Sequence, residues 1–266
     1  MQERHQDRQL YFTEQGKTTE RYVIPYIEEV LPVTAGLRVL EIGCGEGGNL
    51  TPFVERGCTV TGVDINAGQI ATARKLLAQR LPGTEVRLIA SDIYRLTAAD
   101  LGTFDLIFLR DVIEHIPDQR RFFGHLKSFL AGSGIVFFGF PPWRMPFGGH
   151  QQICRSKVLS KLPYFHLLPK TAYGGILRFF GEPESTVTSL LEIKDTGIST
   201  RRFNRIVKQH GFEFVRRTYF LINPNYEVKF GLQPREQLGV VEQLPYVRDF
   251  LTTCCYCLLR QRNVTG

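Results

Sequence analysis

Residues 37–140 alternate short apolar runs with helix-length stretches of mixed polar and apolar residues. Short apolar runs between turn residues are typical of strands that are buried on both faces of a parallel sheet. Five such strands are predicted, at residues 39–42, 60–65, 86–90, 104–109 and 135–140. Because the intervening segments are long enough for right-handed helical crossovers, the pattern predicts an α/β sheet with helices on both faces.

The pattern changes after residue 140. Residues 141–198 contain six prolines and many aromatic residues, but no regular strand period. A long irregular segment within a compact domain is usually functional, so we predict an inserted lid after strand five. An amphipathic helix at 200–210 and strands at 212–220 and 253–260 follow, and residues 221–251 are predicted to form a loop or short helices at the mouth of the site.

A further helix is predicted at residues 18–31, where Tyr22, Tyr26, Ile27 and Val30 recur at helical spacing. This apolar stripe either packs against the sheet or covers a bound ligand. The whole chain is predicted to be one domain. Its parts are an N-terminal cap helix region (1–36), a ligand-binding core (37–140), a lid (141–198) and the C-terminal part of the sheet (199–266).

The first strand ends in a glycine-rich loop, in the sequence Glu41-Ile42-Gly43-Cys44-Gly45-Glu46-Gly47-Gly48. Glycines let the backbone adopt positive φ angles and approach a bulky ligand closely, and the amides of the following helix favour polar ligand groups. The spacing fits both G-x-G-x-x-G, which is typical of dinucleotide sites, and the tighter G-x-G-x-G. The loop therefore predicts a nucleotide site without specifying its ligand.

Acidic residues follow the next strands at corresponding positions. Asp64 ends the second strand, beside the glycine loop in an open α/β sheet, and its carboxylate can accept hydrogen bonds from two ribose hydroxyls. Asp92 follows the third strand and Asp111 follows the fourth. Each acidic residue alone could be a helix cap or a turn residue, but together with Glu41 they indicate one site at the carboxyl edge of the sheet.

With Glu41 two residues before Gly43, this region resembles motif I of the class I S-adenosylmethionine-dependent methyltransferases, E/D-x-G-x-G-x-G. The segment after strand four, Arg110-Asp111-Val112-Ile113-Glu114-His115-Ile116, is similar to that of ubiquinone-type small-molecule methyltransferases. The resemblance covers residues 18–140 and implies a Rossmann-like doubly wound sheet of seven strands, mostly parallel with an antiparallel last strand. A nicotinamide or flavin enzyme, and a related fold that has lost catalysis, remain as alternatives.

The same resemblance implies the cofactor S-adenosyl-L-methionine, with S-adenosyl-L-homocysteine as product. Asp92 would then bond the adenine amino group, and Ile93 would lie near the base. The expected cofactor-binding residues are Glu41, Gly43, Cys44, Gly45, Gly47, Asp64, Ile65, Asp92, Ile93 and Arg110.

Composition is that of a globular protein, with 43% hydrophobic and 22% charged residues among 266. No apolar run is long enough to span a bilayer, and the segment from Met1 to Gln9 is too polar for a signal sequence, so a cytoplasmic location is predicted. The six cysteines lack paired zinc-binding spacing and are expected to be reduced and mostly buried.

Basic residues are concentrated in the second half of the chain. Residues 1–140 hold 15 basic and 17 acidic side chains, whereas residues 141–266 hold 18 and 9. The group Arg201, Arg202, Arg205 and Lys208 could attract an anionic substrate, a membrane surface in peripheral contact, or RNA, or could simply form the solvated face of a helix.

The segment Phe140-Pro141-Pro142-Trp143 superficially resembles the D/N-P-P-Y/F/W motif of adenine amino-methyltransferases. That motif requires a polar first residue and follows strand four, whereas this segment begins with Phe140 and follows strand five. A small-molecule acceptor is therefore predicted, with nucleic acid as the alternative.

Methyl transfer from a sulfonium depends mainly on holding the acceptor and the methyl group in line. A hydroxyl acceptor must also lose a proton, and histidine can accept it near neutral pH. His150, just beyond strand five, and His115, after strand four, are the predicted catalytic residues, although either could be a structural loop histidine. The predicted substrate contacts are Trp143, Phe147, Gln151 and Tyr173, and the aromatic residues among them suggest an apolar or planar acceptor. With the basic residues noted above, an anionic acceptor is also considered, and oxygen is the expected acceptor atom.

No compact set of oxygen ligands for Mg²⁺ is found after strands four and five, so no metal is predicted. A cofactor-binding sensor without turnover remains the alternative from another functional class. The sequence leaves the oligomeric state open.

Overall fold

The computed structural model describes residues 7–262 and contains one sheet of eight strands in the order β3-β2-β1-β4-β5-β8-β6-β7. The strands are β1 (Arg38–Ile42), β2 (Thr59–Asp64), β3 (Arg87–Ala90), β4 (Phe104–Arg110), β5 (Leu130–Phe140), β6 (Phe212–Ile222), β7 (Arg235–Glu236) and β8 (Cys254–Gln261). Strands β1 to β5 pair in parallel, and β8 lies antiparallel between β5 and β6. The reversal of strand order beside β1 places a crevice at the carboxyl ends of β1 and β4.

This architecture confirms the Rossmann-like, mostly parallel sheet with an antiparallel last strand. The strand count differs from the predicted seven because the two-residue strand β7 pairs with the end of β6. Strand β7 lies in the segment 221–251, which was predicted to form a loop or short helices. A strand of two residues is too short to show an alternating pattern of apolar and polar residues, so the sequence did not predict it.

The helices are α1 (Arg8–Thr18), α2 (Ile24–Glu28), α3 (Thr51–Glu55), α4 (Ala67–Arg80), α5 (Ala98–Leu101), α6 (Gln119–Leu126), α7 (Lys170–Phe179), α8 (Glu184–Thr196), α9 (Thr200–Gln209), α10 (Asn225–Phe230), α11 (Gly239–Glu242) and α12 (Pro245–Leu251). No helix within residues 7–262 is both long enough and apolar enough to cross a membrane. The predicted parts 1–36 and 199–266 each extend beyond the described residues.

The N-terminal helical region begins earlier than predicted. Helix α1 starts at Arg8 and continues through a π-helical turn (Thr19–Val23) into α2. The buried side of α1 includes Glu14, Gly16 and Thr18, so the segment lacks the apolar stripe from which a helix is predicted. Gly16 lies so close to the glycine loop that a Cβ there would be 2.8 Å from Oγ1 of Thr51. The predicted stripe of α2 packs as expected, with Tyr26 and Ile27 buried against the sheet.

The sheet is buried on both faces by aromatic side chains from adjacent positions of β5. Phe137 stacks on Phe108 on one face, and Phe138 stacks on Phe123 on the other, each pair with ring centroids 5.2 Å apart. Successive strand residues point to opposite faces, so a strand covered on both sides requires a continuous apolar run. This explains why the sequence of β5 does not alternate.

The lid forms its own small core. Helices α7 and α8 enclose the buried residues Cys154, Leu159, Phe165, Tyr173, Leu177, Val187 and Leu190. The lid is joined to the segment after β4 by buried hydrogen bonds, in which Oγ1 of Thr196 donates to the carbonyl of Glu114 at 2.6 Å and Nε2 of Gln119 donates to the carbonyl of Thr196 at 2.6 Å. The lid therefore packs on the carboxyl edge of β4.

Candidate active site

The glycine loop after β1 adopts backbone conformations that side chains would obstruct. Gly43, Gly45 and Gly47 have φ angles of 73°, 54° and 80°. A Cβ on Gly43 would lie 2.5 Å from Cγ2 of Val112, so this glycine is also required for close approach of the post-β4 segment. Gly43 and Gly45 border a cavity, whereas Gly47 faces α4, where a Cβ would lie 3.0 Å from Cδ1 of Leu77.

Asp64 connects the second strand to this loop. Its Oδ2 accepts a hydrogen bond from the amide of Gly45 at 2.8 Å, and its Oδ1 accepts one from the amide of Asn66 at 2.8 Å. Each carboxylate oxygen retains a further acceptor position. The carboxylate is thus held in place by backbone amides at the wall of the cavity.

Behind the loop, Glu41 begins a buried polar chain. Nδ2 of Asn49 donates to Oε1 of Glu41 at 2.7 Å, and Nη1 of Arg110 donates to Oδ1 of Asn49 at 2.8 Å. Oε2 of Glu41 has no hydrogen-bond partner among residues 7–262. Burial raises the pKa of Glu41 to about 8. Glu41 is therefore placed to position Arg110 through Asn49.

The cavity has a volume of about 580 Å³ and lies at the carboxyl edge of β1 to β4. From the predicted set, the residues that line it are Gly43, Gly45, Asp64, Ile65, Asp92, Ile93 and Arg110. Glu41, Cys44 and Gly47 lie outside this lining. Cys44 is buried and faces β2, where its Sγ would be 2.9 Å from a Cβ on Gly62.

Several lining residues were not predicted. Tyr11 and Gln15 come from α1, Glu46 from the glycine loop and Gln69 from α4. Tyr11 and Gln15 were missed because α1 has no apolar period, although the helical spacing of four between them would have placed both on one face. Glu46 belongs to the motif itself and forms an ion pair with Arg8.

His115 lines the cavity, and His150 of the lid packs against the ring of His115. Their ring centroids are 5.0 Å apart in an edge-on arrangement. His150 has a φ angle of 57°, unusual for a residue with a side chain, which turns the chain sharply after Gly149. The structure therefore brings together the two histidines predicted to be catalytic.

The four predicted substrate residues occupy other positions. Gln151 is fully buried, and its Nε2 donates to the carbonyls of Pro146 and Leu162 at 3.0 and 3.1 Å. Tyr173 is buried in the lid core, and Trp143 packs edge-on against His166 with ring centroids 4.6 Å apart. Phe147 is half-buried and is also absent from the cavity lining. The four residues therefore lie outside the lining of this cavity, and Tyr173 and Trp143 pack within the lid.

Residues 40–138 match a protein-family model described as a methyltransferase domain. A ubiquinone biosynthesis O-methyltransferase of Caulobacter sp. (strain K31) is 35% identical over 101 residues, which cover 38% of this chain and 39% of that protein. One of Actinobacillus pleuropneumoniae serotype 5b (strain L20) is 31% identical over 118 residues, covering 43% and 50%. The aligned regions thus span half or less of these curated relatives.

Two solved structures share the fold over most of the chain. The magnesium protoporphyrin IX methyltransferase of Synechocystis PCC 6803 with bound SAH has a TM-score of 0.55 at 16% identity, covering 94% of this chain and 84% of that one. A putative sarcosine dimethylglycine methyltransferase of Galdieria sulphuraria has a TM-score of 0.58 at 13% identity, covering 92% and 86%.

Proposed function

The chain belongs to the class I S-adenosylmethionine-dependent methyltransferases, and from this we propose that it methylates an oxygen atom of a small-molecule acceptor. The observation that carries the proposal is that the glycine loop, Asp64 and Asp92 line the same cavity. The relatives named ubiquinone biosynthesis O-methyltransferase support oxygen as the acceptor atom.

The cavity residues fit the parts of S-adenosylmethionine. Asp64 is held by two backbone amides with acceptor positions remaining, which suits a ribose diol. Ile65 lines the cavity although 75% of its surface is exposed, and with Ile93 it provides apolar contact for an adenine ring. Asp92, also in the lining, is assigned to the adenine amino group by the family resemblance.

The remaining polar residues suit the charged amino acid end of the cofactor. Arg110 is buried at the cavity wall and is connected to Glu41 through Asn49. Tyr11 and Gln15 of α1 line the cavity beside it, and Nη1 of Arg110 donates to the carbonyl of Gln15 at 3.4 Å. Together these groups would hold a zwitterion while Gly43 admits it close to the backbone.

The cofactor supplies an electrophilic methyl group, and the protein's task is to exclude water and align an acceptor. Among the predicted catalytic and substrate residues, His115 is the one that lines the cavity. We therefore assign the acceptor to the side of the cavity formed by the segment Asp111 to Pro117.

The first test is calorimetric titration with S-adenosylhomocysteine. We expect one-site binding that weakens about 10- to 100-fold in Asp64→Asn, because a hydrogen bond to a charged group contributes roughly 1.5–3 kcal/mol. Asp195→Asn, on the exposed surface of the lid, is the matched control and should bind like the wild type. A folded wild-type protein that binds no S-adenosylhomocysteine would contradict the proposal.

Activity is tested with S-adenosylmethionine and a set of phenolic and aliphatic hydroxyl compounds. Formation of S-adenosylhomocysteine that depends on the added acceptor supports the enzyme. Tight cofactor binding without turnover on any acceptor would favour the sensor alternative.

A further inference from the structure

Beside the cavity, three side chains that commonly bind metals come together from two separate segments. Glu114 and His115 lie in the turn after β4, and His150 lies in the lid. One potential ligand atom of each is within 4.8 Å of those of the other two. Nε2 of His115 is 4.0 Å from Oε1 of Glu114.

Glu114 is the least accessible of the three. It is 2% exposed, and neither of its carboxylate oxygens has a hydrogen-bond partner among residues 7–262. A carboxylate buried without partners is costly because it has lost its hydration. A bound cation would provide the missing partner for both oxygens.

Contacts of the surrounding structure hold the backbone that carries these side chains. The carbonyl of Glu114 accepts from Oγ1 of Thr196, and Nε2 of Gln119 bridges the carbonyls of Ile113 and Thr196. Gly149 packs so closely on His166 that a Cβ on Gly149 would lie 2.2 Å from the Cβ of His166. This close contact holds the backbone immediately before His150. These contacts join the lid to the post-β4 turn at the cluster itself.

We propose that Glu114, His115 and His150 bind a divalent transition-metal ion such as Mn²⁺, Fe²⁺ or Zn²⁺. Two imidazoles and one carboxylate form a ligand set that leaves coordination positions open, and nitrogen ligands favour these ions over Mg²⁺. Metal–ligand bonds of about 2.0–2.2 Å separate ligand atoms by up to roughly 4.4 Å, so the cluster requires only small side-chain rotations to close around an ion.

The position of the ion suggests its role, and this role, unlike binding itself, rests on the proposed methyl transfer. Because His115 lines the cavity, the open positions would face the assigned acceptor side. An ion there would polarise an acceptor hydroxyl and lower its pKa. The hydroxyl proton would leave to solvent, an O–CH₃ bond would form as the S–CH₃ bond breaks, and the electron pair would remain on sulfur.

This proposal differs from two predictions made from the sequence: that no metal is bound, and that His115 or His150 is the proton acceptor. His150 is separated from Glu114 by more than thirty residues. Only the docking of the lid brings these residues together, so no local spacing could reveal the cluster.

The experiment is titration of the chelator-treated full chain with Mn²⁺, followed by calorimetry and electron paramagnetic resonance. We expect one site in the wild type and at least a tenfold loss of affinity in both Glu114→Gln and His150→Ala. His210→Gln, which lies outside the cluster, is the control and should retain the site. Circular dichroism establishes that each variant is folded.

Absence of Mn²⁺ binding to the folded wild type, or equal affinity in the wild type and both variants, would overturn the proposal. S-Adenosylhomocysteine titrations of the same proteins separate the two hypotheses. A wild-type protein that binds S-adenosylhomocysteine but no Mn²⁺ would overturn only the metal proposal. Metal binding by a protein that does not bind S-adenosylhomocysteine would overturn only the proposed function.

Discussion

At the scale of single residues, the site depends on groups whose conformation or charge would be unfavourable elsewhere. Gly43 combines a positive φ angle with close contact to Val112, and Glu41 is a buried carboxyl with one unpartnered oxygen. Such local costs are retained at functional sites when the surrounding structure supports them. They can be measured by substitutions that change one of these features at a time.

Gly43 and Gly36 provide a matched pair. Both have positive φ angles, 73° and 84°, but a Cβ on Gly36 has no neighbour within 4 Å. Both alanine variants carry the backbone strain of about 1–3 kcal/mol, and only Gly43→Ala adds the clash with Val112. We expect Gly43→Ala to lower the free energy of unfolding by about 1 kcal/mol more than Gly36→Ala does, as measured by urea unfolding. Equal effects at the two positions would contradict the close-approach role of Gly43.

The buried carboxyl of Glu41 is expected to make the free energy of unfolding depend on pH. Burial raises the pKa of Glu41 from 4.5 to about 8, so between these values the folded protein binds more protons at this site than the unfolded chain does. This contribution to stability is present below pH 4.5 and is lost as the pH rises to about 8. We expect Glu41→Gln to gain stability relative to the wild type from pH 5 to pH 8, by up to about 1.4 kcal/mol for each unit of the pKa shift.

Urea unfolding at several pH values measures this difference. Glu55→Gln, a more exposed site paired with Arg80, is the control. A constant difference between wild type and Glu41→Gln across this range would show that the carboxyl is not destabilised by burial.

At the scale of elements, α1 and the lid give the core its boundaries. Helix α1 contributes Tyr11 and Gln15 to the cavity, and the lid packs its aromatic residues internally. Burial of large aromatic side chains away from the cavity makes the lid a structural element in its own right. Substitutions in α1 are therefore expected to change cofactor binding, and substitutions in the lid are expected to change stability.

Tyr11→Ala should weaken S-adenosylhomocysteine binding by roughly 5- to 10-fold, because an aromatic contact at the cavity wall is lost. Leu10→Ala, one residue earlier on the exposed side of α1, tests whether disturbance of the helix is sufficient. Calorimetric titration compares the two. An equal loss of affinity in both variants would indicate that helix stability, not the Tyr11 contact, controls binding.

His166 makes the lid sensitive to acid. Burial lowers the pKa of His166 to about 4, and its Nε2 bonds the carbonyl of Trp143 at 2.7 Å. The unfolded chain binds the proton more strongly, so stability is lost as the pH falls from 6.5 to about 4. We expect wild-type stability to fall over this range relative to His166→Gln, in which the buried site does not titrate.

Urea unfolding at pH 7 and pH 5 measures this effect. His125→Gln, on α6 outside the lid, is the comparison. If His166→Gln and the wild type lose stability in parallel, the buried imidazole is not the acid-sensitive group.

At the scale of the whole molecule, the lid and the core are predicted to unfold together. Although the lid has its own core, buried hydrogen bonds of Thr196 and Gln119 connect it to the segment after β4. We expect one calorimetric unfolding transition. S-Adenosylhomocysteine at 100 times its dissociation constant should increase the free energy of unfolding by about 2.7 kcal/mol and so raise the temperature of this transition. Two transitions, of which only one responds to the ligand, would show that the lid unfolds separately.

The uneven distribution of charge also has a structural location at this scale. A second cavity of about 220 Å³ is lined by Arg144, Arg201, Arg202 and Arg205, with Asp249 and Tyr246 beside them. Arg201 lies over the ring of Tyr246, with 5.2 Å between its Cζ and the ring centroid. The basic face of α9 is exposed to solvent, and Arg201 also contacts Tyr246 within the protein.

The sequence by itself determined the parallel core and the position of the nucleotide loop. Continuous apolar strands, helix-length crossovers and glycines with acidic residues at strand ends are local patterns, and each reflects a local physical requirement such as burial on two faces or a positive φ angle. The structure confirms the predicted arrangement of β1 to β5 and places Gly43, Gly45, Asp64 and Asp92 at one cavity.

Only the tertiary structure decided what surrounds that core. Helix α1 buries small and polar residues, β7 has two residues, and the lid aromatics pack on one another, so none of these has a period that predicts its place. The meeting of His150 with Glu114 and His115 depends on how the lid docks. Contacts between residues far apart in sequence are determined by packing and hydrogen bonding across elements, and a periodic pattern carries no information about that geometry.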